Sequence, residues 1–404
     1  MTMAVASRQK MRSGEFIALS ACTMMLTALG IDIMLPAFAA VRQHFGLPPQ
    51  STATAQIITF FFMGQVAQLL FGILSDRYGR LPILRIGFPL YIIGGVAATF
   101  APSMPVMFAA RFLAGIGASA VFTTTIAGVR DRFVGDQMAR TMSLILTIFL
   151  FTPIYAPFLG IAILSVASWQ WVFITPPLFA VVVFVWSLRL EESLDPQNRL
   201  SLNWKNVGQG IRKVLANRVF LRYTTITTLL FTALSAYVSS SERIIGEIYG
   251  RPTLFAWVFA GIGLMMSVAT LTNARLSIRY GAKKTVRWLL LLYTSVAALF
   301  FVCTLVAGDP PPMFIFFVAV ALILGINLAI EPNSSALAME PLGDLAGMAS
   351  SVYGTLFFFV GSALGSFISG AMVHGIWPLV IAFFVIGVIC VGLAWGDRDH
   401  ANLR

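Results

Sequence analysis

Three charged side chains stand inside long apolar runs of this sequence: Asp32, Arg111 and Glu331. An ionisable group near a bilayer centre costs about 2.5–3.5 kcal/mol on insertion scales, so each is a candidate for handling a proton, an ion or a charged ligand. A partly desolvated carboxylate beside a guanidinium can gain and lose a proton as its access to water changes. Asp32 lies deep in the first run. Arg111 lies a few turns into the fourth, which crosses in the opposite direction, so the two fall at comparable depth in the outer half and can line one cavity. The structural alternatives are a helix-breaking Asp32 facing the outer headgroups and an Arg111 tied to backbone carbonyls. Glu331 precedes Pro332 and Asn333 in the tenth run and is expected in the inner third. It reads either as a second proton- or cation-binding group or as the polar end of a kinked helix. Glu242 and Arg243, after the serine run 239–241, read as a solvated pair at the outer surface, and His374 as interfacial.

Other chemistries lack their residues. Cys22, Cys303 and Cys390 all sit in apolar runs with no C-x-x-C or histidine partner and read as small hydrophobes, so no metal site is expected. The sequence has no H-E-x-x-H, no G-x-S-x-G and no G-x-x-x-x-G-K-[ST]. An enzyme, a bound cofactor and an ATP-driven pump are therefore not expected.

The elements that carry these residues follow from composition. The 404 residues are 58% apolar and 11% charged, with a mean hydropathy of +0.87. Soluble domains carry about 25% charged residues, and disordered chains are far less apolar. Apolar runs of twenty or more residues indicate helices rather than barrel strands. The expectation is an all-α membrane protein with twelve transmembrane helices near 15–38, 53–74, 82–101, 104–128, 141–164, 169–188, 220–241, 253–274, 286–307, 313–337, 348–373 and 376–395. The first run follows Arg8, Lys10 and Arg12, but its length and the interruption from Asp32 to Pro36 mark an uncleaved helix rather than a signal peptide.

The net charge is +11. Of the 27 Lys and Arg, all but four fall before the first run, in every second loop or at the ends of the runs that border it, or in the tail; Arg42, Arg243 and Arg251 lie in opposite loops and Arg111 well inside a span. That asymmetry puts both termini in the cytoplasm, and the charge reflects topology rather than nucleic-acid binding.

The longest polar stretch separates the sixth and seventh runs. It divides the chain into six-helix halves at 1–190 and 220–404, joined by a cytoplasmic linker at 191–219 with an amphipathic helix over 202–219. Leu74-Ser75-Asp76-Arg77-Tyr78-Gly79 recurs, half the chain further on, as Leu276-Ser277-Ile278-Arg279-Tyr280-Gly281. A repeat at the same place in each half implies a duplicated unit, and a site between two such halves is a secondary-transporter architecture.

Several motifs carry a resemblance. Gly72-Ile73-Leu74-Ser75-Asp76-Arg77-Tyr78-Gly79-Arg80 resembles the loop signature of the major facilitator superfamily. Asp32 to Pro36, Arg111 to Gly117, Arg130-Asp131, Pro153, Pro157 to Gly160 and Trp169 to Phe173 are similar to its twelve-helix drug:proton antiporters, of the bicyclomycin- and chloramphenicol-resistance type. The likeness spans the chain, more strongly in its first half. It implies the major facilitator fold, with two pseudo-symmetric halves and alternating access.

By this resemblance, Asp32 carries the coupling proton, with Arg111 tuning it. Gly72, Asp76, Arg77, Gly79, Arg80, Arg130 and Asp131 form a gating motif in which Asp76 latches the inner gate against a helix amino terminus, such as that near Gly347. Gly115, Gly117, Pro153, Pro157 and Gly160 are helix-packing positions, those of the fifth span marking exporters. The chain departs from the pattern at Ala114, where relatives often carry Gln, at Ile278 in the second loop copy, and in lacking the Gly-Pro pair and double glycine of the fifth-span motif. The expected function is a proton-coupled antiporter exporting small amphipathic or drug-like molecules across a bacterial inner membrane, acting as a monomer in the lipid bilayer. The alternative is an exporter of a defined metabolite such as a sugar, amino acid or nucleoside.

Overall fold

The structure is a computed structural model describing residues 11–199, 204–373 and 375–396. Arg8, Lys10, His374, Arg398 and Arg404 lie outside them. Among the described residues every regular element is helical. Twelve helices are long and apolar enough to cross a membrane. They are span one Ser13–His44, two Ala53–Tyr78, three Arg80–Thr99, four Met104–Arg132, five Arg140–Leu164, six Trp169–Ser187, seven Arg218–Ile248, eight Pro252–Tyr280, nine Ala282–Ala307, ten Met313–Gly343, eleven Ala346–Ala371 and twelve Trp377–Trp395. These are the twelve segments expected from hydropathy, with ends displaced by a few residues. Between spans six and seven lies the linker helix Trp204–Ala216.

Helix packing repeats across the chain. In the first half span four packs on spans one, two and three, span one on five and six, and span three on six. In the second half ten packs on seven, eight and nine, seven on eleven and twelve, and nine on twelve. Adding six to each number of the first set gives the second, as a duplicated unit requires. The two sets meet mainly along two seams, spans two with eleven and five with eight, which are themselves counterparts.

The two–eleven seam is closed along its length. From the outer end inward, Ser366 Oγ donates to Gln56 Oε1 at 2.8 Å, and Phe62 stacks on Phe358 with ring centroids 6.0 Å apart. Thr355 Oγ1 donates to the Val66 carbonyl at 3.4 Å, the Gln68 amide lies against Gly354, and Ser351 against Gly72. "Inner" denotes the face bearing the Asp76 loop. The linker helix lies there too, its Gly210 against Met348 of span eleven.

Candidate functional site

Span one is broken at its candidate acid. Its first helix ends at Asp32, a 3-10 turn covers Leu35–Ala37, and the helix resumes at Phe38–His44. Pro36 explains the break, because it lacks the N–H that the Asp32 carbonyl would accept and its ring crowds that carbonyl. The Met34 N–H turns to Ile31 O at 3.2 Å, so the Gly30 carbonyl loses its usual helical partner. Arg111 fills the vacancy: its Nη2 donates to Gly30 O at 2.7 Å and its Nε to Ile57 O of span two at 3.4 Å. The guanidinium also lies over the Phe61 ring, 4.4 Å from the centroid. Tyr91 of span three donates to Leu26 O at 2.8 Å, one turn before the break. Arg111 is thus a tie between the backbones of spans one and two. It forms no ion pair with Asp32.

Asp32 itself is 5% exposed. No hydrogen bond or ion pair joins its carboxylate to another described residue, although Tyr155 of span five lies within electrostatic range. Span five fits the break closely. The Ile33 carbonyl occupies the space a side chain on Gly160 would need, and Pro36 packs beside it. Pro153 and Pro157 lie within the continuous helix Gly135–Leu164, and Pro153 with Ile154 faces Gly263 of span eight. Gly115 and Gly117 of span four allow equally close approach to Phe61 O and to the Tyr91 backbone.

At the inner face, Gly79 turns the chain with φ +102° between spans two and three. That is backbone space glycine enters freely. Arg80 is the hub: it donates to Asp76 Oδ1 at 2.6 Å, to Asp131 Oδ2 at 2.8 Å and to Ser75 Oγ at 3.0 Å. The second Asp76 oxygen faces Gly347 in the first turn of span eleven. A cavity of about 140 Å³ lies there, lined by Gly72, Asp76, Arg130, Asp131, Gly347 and Ser351 among others. Arg77 lies over the Tyr78 ring, away from this hub. Sequence reading missed Glu192, whose carboxylate accepts from Arg80 N at 2.8 Å and Leu81 N at 3.1 Å and so caps span three. The signal was available: Glu191-Glu192 is an adjacent acidic pair just after the sixth span, on the side where basic residues predominate.

The outer end requires a correction. Glu242 and Arg243 are not a solvated pair; they are 8% and 6% exposed. Glu242 accepts from Arg42 Nη1 at 2.8 Å and Nη2 at 3.0 Å, and Glu247 from the same Arg42 at 2.9 Å. Arg42 belongs to span one and the two acids to span seven, so this buried cluster joins the halves. Thr54 of span two accepts a further Arg42 bond at 3.2 Å. Arg42 and Glu242 are buried together because each finds its charged partner across the interface, whereas Arg243 donates to the Val373 carbonyl of its own half at 3.3 Å.

Glu331 lies in span ten and accepts from Tyr353 Oη of span eleven at 3.0 Å. No contact brings it to Asp32. Candidate acids therefore occur one in each half, and Arg111 accompanies the backbone around only the first.

The known proteins agree with this architecture. A relative named bicyclomycin resistance protein homolog, from Haemophilus influenzae, is 27% identical over 397 residues, covering 96% of this chain and 97% of its own. The multidrug resistance protein MdtL of Escherichia coli is 26% identical over 374 residues, covering 92% of each. Among solved structures, a nucleoside transporter, NupG, superposes with a TM-score of 0.75 at 13% identity, over 95% of this chain and 99% of that one. A D-xylose-proton symporter gives 0.74 at 13%, over 96% and 98%. These two establish the fold alone. A family model described as Major Facilitator Superfamily matches residues 20–244, more than half of the chain. With twelve membrane-crossing helices and relatives named as resistance proteins along its whole length, the chain belongs to the major facilitator superfamily of transporters.

Proposed function

We propose that the chain is a proton-driven antiporter that exports small amphipathic or drug-like molecules by alternating access. It would sit as a monomer in a bacterial cytoplasmic membrane, both termini inside. The observation that carries this reading is Asp32: a carboxylate placed deep in an apolar helix at a proline-induced break, buried and without a partner among the described residues. Placing it there is costly unless it gains and loses a proton. Arg111 and Tyr91 hold the preceding backbone, so the carboxylate is presented at a fixed point while its own oxygens stay free. The export direction is supported by the resistance names of the relatives.

The test is uphill drug transport in proteoliposomes under an imposed pH gradient, with chloramphenicol and ethidium as probes. Asp32→Asn keeps the shape of the protonated acid but cannot cycle. It is expected to insert normally and lose gradient-driven accumulation, while Asp32→Glu keeps part of it. Gradient-driven transport by Asp32→Asn at the native rate would remove Asp32 as the coupling group. ATP dependence after the gradient is collapsed would remove the antiport reading altogether.

A further inference from the structure

The donors around Asp32 are spent elsewhere. Arg111 gives its hydrogen bonds to the Gly30 and Ile57 carbonyls, and Tyr91 gives its hydroxyl proton to the Leu26 carbonyl. Asp32 is 5% exposed, with no hydrogen bond or ion pair among the described residues. An ionised carboxylate offers about four acceptor positions, and one left dry and unanswered is costly. Some donor has to reach Asp32 whenever its proton leaves.

Span five supplies one. Tyr155 Oη donates to the Met25 thioether sulfur at 2.6 Å. Met25 and Asp32 both belong to the continuous helix Ser13–Asp32. They stand two turns apart and so share a face, with Met25 about 10 Å nearer the inner end at about 1.5 Å per residue. The hydroxyl therefore stands on the Asp32 side of span one, inward of the acid and within its electrostatic range. The Cys22 thiol, one turn further in, and the Thr152 hydroxyl of span five also reach Tyr155. Thr152 itself donates to the Ile148 carbonyl at 3.3 Å.

A thioether is a weak acceptor and an ionised carboxylate a strong one, so exchanging the first for the second is favourable. Two features let the ring make the exchange. Tyr155 is 40% exposed, so packing does not lock it. It also lies between Pro153 and Pro157 inside the helix Gly135–Leu164. Each proline withholds an N–H from the carbonyl four residues before it, and helices bend at such points. Further out on the same helix, Gly160 stays fitted against the Ile33 carbonyl, so the segment moves about a fixed contact with the break.

We infer that Tyr155 is the donor to the ionised Asp32. When the acid loses its proton to water, the hydroxyl leaves Met25 and hydrogen-bonds the carboxylate; when the proton returns, it goes back to the sulfur. The tyrosine keeps its own proton throughout. The inference rests on the reading of Asp32 as the coupling acid and deepens it: Tyr155 sets how readily that acid lets go, and so the pH at which cargo replaces the proton.

The experiment follows ethidium binding by fluorescence anisotropy against pH, with the full chain in lipid nanodiscs. Cargo and proton exclude each other in an antiporter, so affinity rises as Asp32 ionises and the midpoint reports its proton release. A donor to the charged form holds that midpoint down. Tyr155→Phe deletes only the hydroxyl and is expected to raise the midpoint by about one pH unit, or about tenfold in proton affinity. Met25→Leu deletes the competing sulfur and should lower it. A general loosening of the helix pair does not produce opposite shifts from two touching residues. An unmoved midpoint in either variant, or shifts of the same sign in both, overturns the inference and leaves Asp32 as the coupling acid. A midpoint that survives in Asp32→Asn overturns the coupling reading, and the inference with it.

Discussion

Arg42→Gln is expected to unlock the outer end of the transporter. The Arg42 side chain is 3% exposed and holds Glu242, 10% exposed, at 2.8 Å and Glu247, 32% exposed, at 2.9 Å. Removing one partner of a buried pair costs about 3–5 kcal/mol, because the other charge is left dry and unpaired. The half-exposed Glu247 contributes little to that figure, since water screens it. Taking about 3 kcal/mol for the Glu242 contact alone, the ratio of outer-closed to outer-open molecules falls by roughly a hundredfold. Glu242→Gln should shift the ratio much less, because Arg42 keeps Glu247. Spin labels at exposed Gln50 and Thr253, in a background with the three cysteines replaced by serine, report the separation of the halves at this end. The native protein should give one short distance, Arg42→Gln a dominant longer one, and Glu242→Gln a mixture. Identical distributions in the native protein and Arg42→Gln would refute the reasoning that the cluster holds the outer end shut.

The inner face should respond in the opposite sense. Asp76→Asn keeps the contact with the first turn of span eleven but loses its charge, and should shift the population toward inner-open by about 1–3 kcal/mol, read from spin labels on the inner loops. Unchanged distances with normal transport would leave Asp76 as an anchor of Arg80 alone. Gly160→Ala places a methyl where the Ile33 carbonyl now lies, with an overpacking cost of about 1–3 kcal/mol. Thermal unfolding in detergent should show the loss, and an unchanged midpoint would mean that span five yields freely at the break.

How much of this was legible in the sequence depends on how far apart the interacting groups are. The spans were legible because each apolar run is self-contained, and the inner loop because Asp76 and Arg80 stand four residues apart across the Gly79 turn. The break after Asp32 was visible from Pro36. What answered the break was left open between two readings: Arg111 as a tuner of Asp32 or as a tie to backbone carbonyls, and no side-chain pattern says which carbonyls, here Gly30 and Ile57, it meets. Glu242 looked like a surface residue because its neighbour in sequence is Arg243, while the arginine it binds is 200 residues away. The aromatic runs 60–62 and 357–359 gave no hint of which rings meet. Phe60 turns to Phe108 within its own half, and Phe62 crosses the seam. The π-helical turn Leu356–Val360 that sets the second run has no sequence signature.

The outer cluster also bears on the symmetry of the halves. Arg42 and Glu242 come from counterpart spans one and seven, but at the spacing of the loop repeat Arg42 corresponds to Ile244 and Glu242 to Ala40. Two identical halves would make such a contact twice, once on each side of the line that relates them. Here the counterpart positions are apolar, so the second copy of the contact has no charges to make it with. The outer closure is carried by one side of the seam alone.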